Sequence, residues 1–151
     1  NRYPQTALIA DTKSQNTAGG TFTNGAWRTR TLNTEVSDLN NICSLSSDIF
    51  TLSSGTYLIE WTAPAYYCER HQTRLYDTTN STVIQYGSSS YSSVANSVQN
   101  SSLGSAIVVI SSNTSYKIEH QCGTTSSTQG LGVEANMGTE VYAQVKITKI
   151  G

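Results

Sequence analysis

Charge is scarce in this chain. Asp, Glu, Lys and Arg make up 13% of its 151 residues, against about 25% in an ordinary globular domain. The five Arg and four Lys are scattered and the net charge is −1. No basic stripe exists to track a phosphate backbone, so a dedicated nucleic-acid binder is excluded. Long hydrophobic runs are missing too. The longest, Ala106 to Ile110, is far short of the ~20 residues that cross a bilayer, so no membrane insertion is expected. Helical periodicity is absent: no window of eleven residues holds apolar residues at i, i+3, i+4 and i+7 with helix formers between them. The cysteines, Cys43, Cys68 and Cys122, are too widely spaced for a metal-ligand pattern, and no metal or cofactor is expected. There is no G-x-S-x-G, P-loop or H-E-x-x-H. Gly19-Gly20 precedes a strand pattern, so it offers no helix N-terminus to a phosphate. With two His, four Asp and six Glu, no convergent constellation stands out, and the chain reads as no enzyme.

What fills the chain is neutral polarity: 22 Ser, 21 Thr, 11 Asn and 8 Gln, with nine Tyr and two Trp among them. A chain of this length buries enough surface to fold without a staple, and no Pro/Gly linker or internal repeat divides it. Residues 1–151 read as one domain. Strand signals recur. Tyr57, Ile59 and Trp61 alternate with Leu58, Glu60 and Thr62. Tyr116, Ile118 and His120 alternate with Lys117, Glu119 and Gln121. Val141, Ala143, Val145 and Ile147 alternate with Tyr142, Gln144, Lys146 and Thr148. Period two with one dry face means antiparallel strands. Turn signals separate them: Asn24-Gly25 as a hairpin turn, Ser53–Gly55, Thr79–Ser81, Ser111–Thr114, and Met137-Gly138 between a strand at Leu131–Ala135 and another at Thr139–Ile150. Glu35–Ser47 and Gly87–Ser102 lack a strand pattern and read as long loops. Pro64 marks a bulge, an edge or a sheet switch. The expected fold is an all-β antiparallel sandwich or jelly roll.

The cysteines read as small buried thiols; a single Cys68–Cys122 disulfide is the alternative, leaving one thiol over. The three N-x-[ST] triplets, at Asn80, Asn100 and Asn113, match chance in so Ser/Thr-rich a chain. In Cys68-Glu69-Arg70-His71 the Cys and His fall on opposite strand faces, which disfavours a catalytic dyad. His120 reads as a hydrogen-bonded, semi-buried side chain, and Glu60, Glu119 and Glu140 as a solvated strand face. Arg28 with Arg30 (i, i+2) and Arg70 with Arg74 (i, i+4) each fall on one strand face by alternation. Each pair suits either an acidic sugar or ion pairing with Glu35, Glu60 or Glu119. Tyr66, Tyr67, Tyr76, Tyr86 and Tyr91 stand among Ser, Thr and Asn, the composition of recognition surfaces.

Ala7–Asp11, Gly19-Gly20-Thr21-Phe22 and above all Gly25-Ala26-Trp27-Arg28-Thr29-Arg30-Thr31-Leu32-Asn33-Thr34 resemble the opening of a domain found at the C-terminal ends of bacteriophage tail fibres and other virion attachment proteins. The resemblance runs on through Phe50-Thr51-Leu52, Gly55-Thr56-Tyr57, Ala63-Pro64-Ala65, His71, Arg74-Leu75, Glu119-His120-Gln121-Cys122, Gly130–Val133 and Glu140–Ala143. It departs at Gln121, where the family has Arg, and at Leu131 and Met137, where the family tends to have an aromatic. The resemblance implies a jelly roll of about ten strands like the heads of tumour necrosis factor and complement. It also implies a homotrimer at the tip of a fibre shaft, outside the cell on the virion surface, binding a host-cell receptor that is often a glycan. An extracellular carbohydrate-binding module, a trimerisation cap without its own ligand and a polysaccharide-degrading spike enzyme are the alternatives.

Large apolar groups on both faces of Tyr57–Trp61 and Ala106–Ile110 suit a subunit contact. Tyr116, Leu131, Met137 and Tyr142 are the expected axis residues. If the last strand ends beside the shaft, simple alternation puts the Asn136–Thr139 and Ser111–Thr114 turns at the apex and Gly87–Ser102 toward the base or flank. The expected receptor site is the flank, with Tyr66, Tyr67, Arg70, Arg74 and Tyr91. The alternative is the apex, with Ser112, Asn113 and Met137.

Overall fold

In the computed structural model, which describes residues 4–151, period-two alternation becomes a two-layer sandwich. Its strands are β1 (Gln5–Lys13), β2 (Arg28–Thr29), β3 (Thr34–Asp38), β4 (Cys43–Ser46), β5 (Ile49–Leu52), β6 (Gly55–Tyr66), β7 (Glu69–Asp77), β8 (Thr82–Ser92), β9 (Gln99–Ile110), β10 (Thr114–Cys122) and β11 (Glu140–Lys149). One sheet runs β3-β1-β11-β6-β9 and the other β4-β5-β10-β7-β8, with β2 paired to β10. Every pairing is antiparallel and no helix occurs among the described residues. The fold is an all-β jelly roll of eleven strands.

The inward-facing alternate residues form one core. Ala7, Ile9, Tyr57, Ile59, Trp61, Val145 and Ile147 come from the first sheet. Phe50, Leu52, Leu75, Tyr116 and Ile118 come from the second. The sheets lie face to face because each has one apolar side to hide. Between Ser46 and Ile49 the β4–β5 turn puts Ser47 and Asp48 at φ 51° and 69°, the left-handed pair that a two-residue hairpin needs.

The two expected long loops are strands. Glu35–Ser47 contains most of β3 and all of β4; Gly87–Ser102 contains the end of β8, a turn and the start of β9. β3, β9, β4 and β8 are the four sheet edges. Along β8 and β9 a seam of polar side chains joins the sheets where apolar packing is expected. Ser102 Oγ donates to Ser88 O (2.7 Å), Ser90 Oγ to Ser101 O (3.0 Å) and Asn100 Nδ2 to Tyr91 O (2.6 Å), while Leu103 N donates to Ser88 Oγ (2.9 Å). Leu131–Ala135, expected as a strand, is irregular. Its start is held by Leu131 N to Gly20 O and Gly19 N to Gly132 O. Asn24-Gly25 turns the chain, with Gly25 at φ 90°, but closes no hairpin: the β2 that follows pairs with β10.

The ends of the sandwich also differ from the expected alternation. Gln5 pairs with Lys149, and Gly55 with Ile110. The chain's C-terminus therefore shares one end with the Ser111–Thr114 turn. The 93–98 turn, the Tyr66–Glu69 corner and the segment before β11 lie at the other end: Tyr67 N donates to Val98 O, and Gln15 Nε2 to Asn136 O. Ser112 and Asn113 thus sit at the opposite end from Met137. Their grouping as one apex is corrected, as is the placing of the Gly87–Ser102 segment toward the base. Counting Glu35–Ser47 and Gly87–Ser102 as loops had miscounted the strand reversals.

The outer face of the first sheet carries exposed apolar side chains: Leu8, Val36, Leu103, Ile107 (65% exposed) and Val109 (79%). Tyr116 and Tyr142, expected at a subunit axis, are 1% and 4% exposed within the protomer. Tyr116 packs on Phe50, and the Tyr142 hydroxyl donates to Thr17 O at 2.6 Å. Both are consumed by the protomer's own packing, which corrects their placing at an axis. Leu131 is partly buried against Phe22, Ala65 and the Cys68–Cys122 cluster, and Met137 is exposed.

Candidate functional site

A cleft of about 620 Å³ opens on the outer face of the second sheet, toward the end far from the C-terminus. It is lined by Trp27, Arg70, His71, Gln72, Ser89, Ser90, Tyr91, Gln121, Cys122 and Gly123. Strand register assembles it. Arg70 pairs with Tyr91 and Gln72 with Ser89 across β7–β8, while Gln121 pairs with Gln72 across β10–β7. The outward alternate residues of three adjacent strands thus form a polar floor. Tyr91 (52% exposed) stands at one side.

Trp27 stands at the other, and it is positioned rather than loose. Arg28 Nε and Nη2 donate to Thr23 O (3.0 Å) and Asn24 O (2.9 Å), folding the loop that carries it. Asn24 is tied in turn to Gly123 O and to Thr125. The Arg74 guanidinium lies 4.1 Å from the Trp27 ring centre, a cation–π contact. Arg74 Nε donates to Glu119 Oε1 at 2.8 Å, and Lys117 lies 3.3 Å from the other Glu119 oxygen. Tyr86 and Tyr76 flank this stack, Tyr86 at 6.0 Å from Trp27 and Tyr76 at 5.4 Å from the Arg74 guanidinium.

Beneath the floor runs a buried polar chain. Arg30, 1% exposed, donates to Pro64 O (2.7 Å), Leu131 O (2.8 Å) and His120 Nδ1 (3.0 Å). A guanidinium only donates, so His120 Nδ1 accepts and its proton is on Nε2. That proton goes to His71 Nδ1 at 2.9 Å. His71 therefore carries its own proton on Nε2 and donates to Asn100 Oδ1 at 2.6 Å. Both imidazoles are neutral in this arrangement. Burial depresses both, His120 well below the ordinary histidine range, with the Arg30 charge acting in the same direction. Burial also lowers Arg30 to about 10, which leaves it charged at neutral pH. The unused His71 face reaches the cleft.

Of the five residues expected at the flank, the cleft takes Arg70 and Tyr91. Arg74 lies under Trp27 as its support. Tyr66 and Tyr67 pair with each other at 5.8 Å, outside the cleft lining. Arg28 and Arg30 do not share a face: Arg28 is exposed and Arg30 is buried, so that pair cannot grip a sugar. Glu119 and Glu140, expected on a wet face, are 7% and 4% exposed. Glu140 caps the bend before β11, accepting from Ala135 N, Asn136 N and Asn16 N, and those bonds hold its carboxyl below the usual range. The residues missed were Trp27, Gln72 and Gln121. The available signal for Trp27 was a large aromatic two residues after an Asn-Gly turn in a polar stretch.

No family model and no curated protein sequence matches this chain. Solved structures do. The globular domain of zebrafish complement 1qA protein matches with TM-score 0.58 at 19% identity, over 98% of this chain and 97% of its own. The Eiger TNF from S. frugiperda matches with TM-score 0.66 at 13% identity, over 99% and 94%. PRD1 vertex protein P5 matches with TM-score 0.60 at 12% identity, over 97% of each chain. The chain therefore has the jelly-roll fold of tumour necrosis factor and complement heads.

Proposed function

We propose that this chain is a homotrimeric receptor-binding head at the tip of a virion fibre or spike, and that it holds a host-surface glycan in the cleft between Trp27 and Tyr91. The observation that carries the reading is the make-up of that cleft: two aromatic walls and a polar floor of Gln72, Ser89 and Gln121 with Arg70 beside them. Sugar rings present C–H faces to aromatics and hydroxyls to amides, so this mixture suits them. Among the described residues the side chains of Ser89 and Gln121 have no hydrogen-bond partner, and Gln72 uses only its Nε2, donating to Gly87 O at 3.0 Å. The likeness to a vertex protein supports a virion setting. The apolar outer face of the first sheet, on the side away from the cleft, supports self-association.

The test is binding of the purified head to an array of bacterial and animal surface glycans. Specific signal is expected, and Trp27→Ala and Tyr91→Ala each weaken it by about tenfold or more while the fold is kept. A folded trimer with no glycan signal would favour the trimerisation cap.

A further inference from the structure

Cys68 and Cys122 are brought together by a part of the fold that the cleft does not explain. All three cysteines are buried free thiols, but they are not equivalent. Cys43 belongs to the main core, and burial pushes its thiol up to about 12. Cys68 and Cys122 share a separate small cluster with Phe22 and Ala65. Their backbones are zipped: Gly123 N donates to Arg70 O at 2.8 Å and Thr124 N to Cys68 O at 3.0 Å. Tyr67 and Glu69, on either side of Cys68, take φ 56° and 63°. Two left-handed non-glycine residues around one cysteine form a conformation that must be held by its surroundings. Ser92 Oγ does part of this, lying 3.1 Å from Cys68 N and 3.3 Å from its sulfur. The Cys122 thiol donates to Thr124 O at 3.4 Å and reaches Phe22 O at 3.9 Å. Cys122 also lines the cleft and is 6% exposed, whereas Cys68 is 0% exposed.

We propose that Cys68 and Cys122 are a dithiol that closes to a reversible disulfide in the folded head. A small-molecule disulfide such as oxidised glutathione enters through the cleft. The Cys122 sulfur loses its proton and attacks, forming a mixed disulfide and releasing one glutathione thiolate. The Cys68 sulfur, deprotonated in turn, attacks the Cys122 sulfur and expels the second. The dithiol is oxidised by two electrons, the oxidant becomes two glutathione molecules, and the two protons end on their thiolates. The bond ties the end of β10 to the β6–β7 corner beneath the cleft. This inference is independent of any glycan in the cleft.

The native protein is incubated with oxidised glutathione, quenched with acid and unfolded, and its thiols are counted. The expected result is a fall from three thiols to one, with a Cys68–Cys122 linked peptide on digestion. In Cys43→Ser the count falls from two to none. In Cys68→Ser a stable glutathione adduct on Cys122 accumulates, because the resolving sulfur is gone. The loop closed is about 55 residues, so the oxidised form unfolds about 10 °C higher than the reduced form. Three thiols remaining after oxidation, or an adduct that persists on wild-type Cys122, would overturn the proposal.

Discussion

Arg30 shows how a single residue can escape a pattern. Arg28 and Arg30 are two apart, and on a strand they would share a face. But β2 is only Arg28–Thr29, and the chain turns inward at once. Arg30 ends among Pro64 O, Leu131 O and His120. Nothing local signals this, because all three acceptors are distant in sequence. His120 was legible, since its face was shared with Tyr116 and Ile118. Replacing Arg30 by Met leaves two buried carbonyls and one ring nitrogen without a donor. That costs about 3 kcal/mol or more, which urea unfolding would read as a lower midpoint at unchanged slope. The two histidines predict a pH effect of definite sign. Their folded values are depressed, so the native state binds fewer protons than the unfolded chain below about pH 6.5. Stability is in full above that value and is lost as pH falls toward the lowered folded values. The unfolding temperature should be flat between about pH 7 and 8 and fall between about pH 6.5 and 5. Nδ1 of each ring already accepts a hydrogen bond, so an added proton breaks the chain wherever it lands. In His71→Gln, which keeps a donor and an acceptor, the acid-linked fall should shrink. A midpoint that does not move between pH 7 and 5 would show that the rings are already charged or solvated. Glu140 acts in a lower window. Its depressed folded value makes its contribution complete above about pH 4.3, and lost below.

At the scale of elements, the strands legible from the sequence were mostly those with a neighbour on each side. β6, β7, β10 and β11 are inner strands. Their inward faces are dry, and buried and half-exposed positions alternate along them, most plainly as Tyr57, Ile59 and Trp61 on β6 and Tyr116 and Ile118 on β10. Most of β3, all of β4, the end of β8 and the first part of β9 read as loops from the sequence, and they belong to the four edge strands. An edge strand needs less apolar surface, and polar residues there discourage pairing with other chains. Along the end of β8 and the start of β9 even the inward positions are polar, because hydrogen bonds stitch the two edges. Ser and Asn in such numbers are indistinguishable from loop composition. The same seam explains Gly104. It lies opposite Trp61, and a Cβ there would stand 2.1 Å from the indole. The indole needs that space to donate from Nε1 to Thr73 Oγ1 at 2.8 Å. Gly104→Val should therefore displace Trp61 and destabilise by about 3 kcal/mol, with a red shift of tryptophan emission as the ring is wetted. A native spectrum and midpoint would mean the seam yields more readily than its geometry suggests.

For the whole molecule, the arrangement of the two sheets separates two surfaces. The cleft is on the outer face of the sheet containing β10, β7 and β8, near the end far from the C-terminus. The exposed apolar residues are on the outer face of the other sheet. Binding and assembly need not compete for area. Sequence alternation pointed to this second surface through the large apolar groups on both faces of β6 and β9. It could not say which residues line it: Tyr116 and Tyr142 were too well suited to the interior. Ile107 and Val109 are the most exposed of the set on β9, and Val108 between them is buried. An unpaired row of this kind on a jelly-roll face is costly to leave in water. If three copies cover it, the head runs in light scattering at three times the protomer mass. Ile107→Lys places a charge in the middle of the contact without touching the core, so the protomer should stay folded by far-ultraviolet circular dichroism while the assembly dissociates. The cleft is built within one chain, so the affinity for a soluble monovalent sugar should change less than threefold. Adsorption to cells should fall by about a hundredfold or more, because three linked sites become one. A variant that dissociates yet adsorbs as wild type would separate the function from the assembly. A wild-type head that is already a monomer at micromolar concentration would remove the trimer altogether.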